Sequence, residues 1–266
     1  MARLRGFCMS RGGQRLAEEL TPSSDAEEVR RRQRLTGEGK ALRELKPHFS
    51  LGAMGEVEPS VQAAARGAIL PATELLTVAG FLGRAQTIRN HLVPMARELP
   101  GLSHIAQRIG EFAGLIAALE AAITPSGEIR DNASPELPLL RHATRDAHDR
   151  LLRQMERILS HAVDSGIAQD TIITERDGRY VIPIKADARG QLRSVVHDVS
   201  ASGATVFVEP LAVVEMGNKW REARLAEERE IERILRRLIP GCMQGFWALT
   251  PSAPLGPGRT PRTQSS

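Results

Sequence analysis

One segment of this chain follows the grammar of sheet, and it sits between two long stretches that follow the grammar of helix. From Asp177 to Pro210 the chain reads DGRYVIPIKADARGQLRSVVHDVSASGATVFVEP. Tyr180, Ile182 and Ile184 alternate with Val181, Pro183 and Lys185, the two-residue period of a strand whose successive side chains leave on opposite faces. Pro183 has no N–H to give a ladder, which predicts an edge strand or a bulge there. Asp187 to Gln191 reads as a turn, Val195 and Val196 resume extended structure, Ser200 to Gly203 breaks it, and Ala204 to Val208 forms a further short strand. Glu209 and Pro210 open a helix, with proline at a first-turn position where its missing N–H costs little. The expectation is a small antiparallel β module between helices.

The flanks carry helical periodicity. Leu137, Leu140, Thr144, Ala147, Leu151, Met155, Ile158 and Ala162 recur at three- and four-residue steps, predicting a helix from Pro135 to about Ala162. At 1.5 Å per residue it would be roughly 40 Å long. A second long helix is predicted from Pro210 to about Leu238, with Val213, Trp220, Ile231, Ile234 and Leu238 on one side. Glu215 with Lys219 and Glu232 with Arg236 supply favourable i,i+4 pairs. Upstream, Thr21, Ser23, Ser24 and Asp25 offer caps for a helix ending near Leu45, before Pro47. Two more are predicted over Pro71 to His91 and Leu102 to Ile123, the latter with a core stripe of Ile105, Ile109, Phe112, Ile116 and Leu119. Only 3% of residues are aromatic while 41% are hydrophobic, so the core must be aliphatic, as in packed helices.

The resulting fold class is mainly α: a helical core with two long lever helices flanking a small antiparallel β module. The organisation expected is a helical core over 12–134 and the lever helices over 135–239, with the β module at about 165–209. Residues 240–266, rich in Pro, Gly, Ser and Thr, read as a disordered tail.

Thirty-six basic residues against 32 acidic ones give a net charge of +4. That leans weakly toward polyanionic partners and leaves most charge in mixed pairs on helix surfaces. The Arg30, Arg31, Arg32 and Arg34 cluster is read as such a solvated face. Cys8 and Cys242 form no disulfide or metal pattern, which suits a reducing cytoplasm. No apolar run approaches the roughly 20 residues of a membrane span, and no apolar segment follows the basic N-terminus as secretion would require. His197-Asp198 beside Ser200 and Ser202 evokes a catalytic triad, but all lie on one strand-turn segment, and local turn hydrogen bonds are the reading adopted. His142 and His148 are not at metal-pair spacing.

The β segment resembles the signature of the second bacterial branch of the MutS family, the MutS-two endonuclease family. Its R-Y-V-I-P-V-K and V-H-D-x-S-A-S-G-x-T-x-F-x-E-P pattern is matched by Arg179 to Lys185, including Tyr180 and Pro183. It continues through His197, Asp198, Ser200, Ser202, Gly203, Thr205, Phe207, Glu209 and Pro210. TPSSDAEEVRRRQRLT from Thr21, LKPHFSLG from Leu45 and SGEIRDNASPEL from Ser126 match further family motifs in family order.

The resemblance implies the core, lever and clamp region of a protein that uses ATP and Mg²⁺ to drive a dimer motion closing its clamps on nucleic acid. The family's phosphate-binding loop, G-x-x-x-x-G-K-[ST], is not found in this sequence, nor is its small C-terminal nuclease domain. No cofactor is therefore expected for this chain, and neither ATP hydrolysis nor nuclease activity. Phe207-Val208-Glu209 spells the F-x-E wedge of mismatch-reading relatives, but its place at a strand end argues for packing. Arg176, Arg179, Lys185, Arg189 and Arg193 are the candidate phosphate contacts, against the plainer reading of solubilising charge on an exposed hairpin. Duplex or branched DNA is the expected partner, with ribosomal RNA as the alternative. The family dimerises; a monomer is expected for this chain, without a membrane partner. A structural helical module, or a truncated product without independent activity, are the rival readings.

Overall fold

The computed structural model describes residues 2–8, 11–52 and 55–249. Nine α-helices and four strands follow one another along these residues. They are α1 (Ala2–Gly6), α2 (Arg11–Glu19), α3 (Ala26–Leu45), α4 (Glu58–Ala65), α5 (Ala72–Leu92), α6 (Pro100–Gln107), α7 (Ala113–Ala122) and α8 (Leu137–Asp164), then β1 (Thr174–Arg176), β2 (Arg179–Lys185), β3 (Ser194–Val199), β4 (Thr205–Pro210) and α9 (Leu211–Leu249). The chain divides into two units: residues 1–133 with 233–266, and residues 134–232. The fold is mainly α with a small antiparallel sheet, as expected. No helix of the described residues is long and apolar enough to cross a membrane.

The first unit is all helix. The Asp25 side chain accepts from the Glu27 N–H at 2.9 Å, capping α3 where the sequence places its start. Further along α3, the Glu38 carboxylate takes the N–H groups of Gly101 and Leu102 at 3.0 and 2.8 Å, so one helix caps the start of α6. Leu42, Ile88, Leu92, Leu99 and Ala106 form an aliphatic core around this contact.

Two expectations are corrected here. The helix predicted over Leu102–Ile123 is two helices, broken between Arg108 and Phe112. The Phe112 N–H bonds to Gln86 Oε1 at 2.8 Å instead of continuing a helical ladder. A β-carbon on Gly110 would stand 3.0 Å from the Phe112 ring, so the break is tight. The stripe read across it splits accordingly: Phe112 and Leu119 are buried, while Ile105 is exposed.

The second correction concerns the C-terminal segment. The helix expected to end near Leu238 runs on to Leu249 with Pro240 inside it. Cys242 and Phe246 are buried, and Phe81 meets Phe246 at a ring separation of 6.1 Å. Gly241 and Gly245 make this approach possible, since β-carbons there would stand 2.8 Å from Leu115 and 3.0 Å from Leu82. Close packing outweighs the hydrogen bond that Pro240 removes. The tail expectation is thus overturned for 240–249; residues 250–266 lie outside the described residues.

The second unit surrounds the sheet. Ser134 Oγ accepts from the Leu137 N–H at 3.1 Å at the start of α8. The α8 stripe lands where its spacing predicts: Leu137, Leu151, Met155 and Ala162 are buried. Leu151, Met155, Leu159 and Ala162 join Ile182 and Ile184 of β2, Val206 and Val208 of β4, and Val213 and Trp220 of α9 in one core. The sheet runs β1-β2-β4-β3, antiparallel throughout.

Strand β2 is therefore internal, not the edge that Pro183 suggested, and it carries no bulge. The Pro183 carbonyl accepts from the Gln169 N–H at 3.0 Å, so its backbone faces away from β4. On that side β1 has already ended at the Thr174–Val181 pair, and a single bridge between Ala168 and Ile184 follows. The proline costs the β2–β4 ladder nothing because its missing N–H does not point there. The bulge lies instead in β3, between Val196 and Asp198. Pro210 also differs from expectation, being the last residue of β4 in register with Ser194 and preceding α9.

Candidate nucleic-acid interface

The sheet and α9 meet over a buried carboxylate. Glu209, at the end of β4, is 3% exposed. Its Oε1 accepts from Arg179 Nη1 at 3.1 Å, and its Oε2 accepts from His197 Nε2 at 2.9 Å. Arg179 spends a second N–H on Asn218 Oδ1 of α9, at 2.8 Å. His197 is the extra residue of the β3 bulge, and there the alternation of the strand is broken. Val196 and His197 are both turned inward as a result. A β-carbon on Gly217 would lie 3.1 Å from Glu209 Oε1 and 3.3 Å from Arg179 Nη1, so a glycine leaves room for the pair. Removing one partner of such a buried pair typically costs about 3–5 kcal/mol, because the other charge is left uncompensated.

A second cluster ties α8 to the same elements. His148 Nε2 and the Tyr180 hydroxyl share a hydrogen bond of 2.8 Å. The rings of His148, Tyr180 and Trp220 stand 5.2 to 5.5 Å apart in tilted pairs. Burial, then the nearby Glu175 charge, pushes the Tyr180 hydroxyl above its ordinary pKa. Tyr180 is thus a packing and hydrogen-bonding residue of the unit's interior.

The basic residues divide into two sets. Arg179 is committed to Glu209 and Asn218. Arg176 pairs with Asp198 at 3.3 Å and lies over the Phe207 ring at 4.6 Å, so Phe207 packs beneath a cation. Lys185, Arg189 and Arg193 are exposed and have no acidic partner among the described residues. All three lie along the connection from the end of β2 to the start of β3, which winds through a short 3₁₀ stretch over Ala186–Gln191.

The remaining motif residues are accounted for by turns and by the buried node. Ser200 Oγ accepts from the Thr205 N–H at 3.0 Å, the Ser200 carbonyl accepts from the Gly203 N–H at 2.8 Å, and Gly203 adopts φ +73°. Ser202 Oγ stands 3.4 Å from Ser200 Oγ. The local-turn expectation holds for Ser200 and Ser202 and is corrected for His197, which reaches across to Glu209. No hydrogen bond joins that histidine to either serine among the described residues. Sequence reading missed Asn218, Gly217, His148 and Trp220 as members of these clusters. Their signal lay in α9 and α8, whose facing positions only the fold brings together.

Fold and interface define a mainly helical protein carrying a β module with an unpaired basic connection. No protein-family profile matches the chain. Curated relatives do: it is 41% identical over 225 residues to endonuclease MutS2 of Thermomicrobium roseum, covering 84% of this chain. It is 40% identical over 230 residues to that of Halalkalibacterium halodurans and 37% identical over 225 residues to that of Pelotomaculum thermopropionicum, each covering 85% of this chain. The chain belongs to the MutS2 family. It spans 28% to 29% of the length of these relatives.

Proposed function

We propose that this chain is a core and clamp segment of a MutS2-type protein that holds DNA by its phosphate backbone, without reading sequence. The observation that carries this reading is the set of exposed, unpaired cations Lys185, Arg189 and Arg193 along the β2–β3 connection. Phosphate contacts need positive charge in a fixed place and no base-specific geometry. The sheet supplies the fixed place, because Arg179 of β2 bonds both to Glu209 of β4 and to Asn218 of α9. Arg176 and Arg179 act as supports in this reading: one is held over Phe207, the other over Glu209. The MutS2 relatives bear the name endonuclease; the reading for this chain rests on phosphate contact alone.

The test is DNA binding over a range of salt, with and without the triple substitution Lys185→Ala, Arg189→Ala, Arg193→Ala. Each cation lost from a phosphate should reduce the slope of log K against log salt by about one and weaken affinity at low salt. Unchanged affinity and slope would remove the β2–β3 connection from the interface. Tighter binding to structured ribosomal RNA than to DNA at equal salt would move the target to the ribosome.

A further inference from the structure

The turn that joins β1 to β2 has a chemistry of its own, separate from the phosphate-holding role proposed above. Asp177 is the only aspartate of the chain followed by glycine, and no asparagine is followed by one. Asp177 and Gly178 form the whole turn, since Arg176 and Arg179 on either side are already paired across the hairpin. Their φ values are +50° and +72°, as a two-residue turn of this type requires. Asp177 is exposed, and its carboxylate has no ion-pair or hydrogen-bond partner among the described residues. The Gly178 N–H is likewise uncommitted among the described residues, and a β-carbon on Gly178 would meet nothing within 4 Å.

These features favour a reaction inside the turn. The carboxyl carbon of an aspartate and the amide nitrogen of the next residue lie at the two ends of a five-membered ring, and such intramolecular proximity raises their effective concentration. A side chain on the following residue obstructs the closure, and glycine has none. The other aspartates lack this freedom. Asp164 precedes a small residue, but the Ser165 N–H donates to the His161 carbonyl at 3.0 Å at the end of α8. Asp170 and Asp198 precede the β-branched Thr171 and Val199. The hairpin can also open, because β1 is an edge strand of three residues, and short peripheral elements are the least protected against local unfolding.

We propose that Asp177–Gly178 is a site of spontaneous isoaspartate formation, whose product is a substrate for a protein isoaspartate carboxyl methyltransferase. The Gly178 nitrogen attacks Asp177 Cγ, the new N–C bond closes a succinimide, and the carboxyl oxygen leaves as water. Water then returns to one of the two ring carbonyls. Cleavage of the new bond restores aspartate, whereas cleavage of the original peptide bond leaves the chain running through the side chain. The methyltransferase moves a methyl group from S-adenosylmethionine to the carboxylate so freed, and the ester closes the ring again with loss of methanol. The rearranged link adds a methylene to the backbone of a two-residue turn. It falls between Arg176, which pairs with Asp198, and Arg179, which bonds to Glu209 and Asn218, so it loosens the joint that carries two of the module's supports.

The test ages the full chain in neutral buffer and then cleaves it after glutamate, which keeps the turn within one peptide. Electron-transfer fragmentation locates isoaspartate, and radiolabelled methyl transfer by a purified isoaspartate methyltransferase counts it. Residue 177 should carry about tenfold more isoaspartate than any other aspartate, a barrier difference of about 1.4 kcal/mol. Asp177→Glu, whose ring would need six members, should lose most of the methyl acceptance. Asp177→Asn, which tolerates the same backbone conformation, should gain it faster through the same ring with ammonia leaving. A thermal melt before ageing checks that both variants are folded. Isoaspartate that is absent from residue 177 or spread evenly over the aspartates overturns the site, as does methyl acceptance that persists undiminished in Asp177→Glu.

Discussion

At the scale of single residues, the motif that marks this chain is mostly a set of supports. Glu209 is buried, and it is tolerable there only because Arg179 and His197 both donate to it. Tyr180 follows Arg179 in β2, yet its hydroxyl ends against His148 and its ring against Trp220. The chain has a single tyrosine, so tyrosinate absorbance reports on Tyr180 alone. Its midpoint should lie above 10.0 in the folded protein, as burial disfavours the anion. The linkage then has a definite sign. The folded state holds the proton more tightly, so this contribution to stability is fully present below pH 10 and falls as pH rises through the folded midpoint. A midpoint at or below 10.0 would show that the hydroxyl is not held as described. Residue types were legible in the sequence, but partners were not. Arg179 and Lys185 look alike in a string of letters, and only the position of Asn218 on a distant helix separates a support from a free cation.

At the scale of elements, long amphipathic patterns were read well and short signals poorly. The stripe of α8 fell where its spacing placed it. Strand β1 was missed although its signal is explicit: Asp177 and Gly178 join β1 to β2 with φ of +50° and +72°. Two successive positive φ values are what a two-residue hairpin turn of Asp-Gly type requires. The end of α9 was missed for the opposite reason. Pro240, Gly241 and Gly245 look like breakers in sequence, yet the glycines lie against Leu115 and Leu82 and are needed small. The expected outcome is that Phe246→Ala lowers stability by about 3–5 kcal/mol, as for other buried phenylalanines. Chemical denaturation measures it, and a loss under 1 kcal/mol would mean that this part of α9 is not packed. Cys242 offers an independent readout: burial pushes its thiol up to about 11, so alkylation at neutral pH should await unfolding.

At the scale of the whole molecule, the chain's charge is nearly balanced, and the proposed function rests on where a few cations are left over. The mainly helical class was legible from composition, since 3% aromatics and 41% hydrophobic residues favour aliphatic helix packing. Division into two units was only partly legible, because α9 belongs to one unit up to Glu232 and to the other from Arg233. A continuous helical pattern carries no mark of such a boundary. Since the sequence holds no phosphate-binding loop, nucleic-acid affinity of this chain should be the same with and without ATP and Mg²⁺. A shift in affinity on adding nucleotide, measured by fluorescence anisotropy at fixed free Mg²⁺, would contradict that.

The bulge at His197 has one more effect. Strand β3 lies at an edge of the sheet and turns Val195 and Val199 to solvent, which is a surface on which another extended chain could grow. The irregular hydrogen-bonding row that a bulge creates is a poor template for such growth, and at the opposite edge β1 is only three residues long. The distortion that brings a histidine to its carboxylate also keeps these modules from joining edge to edge into aggregates.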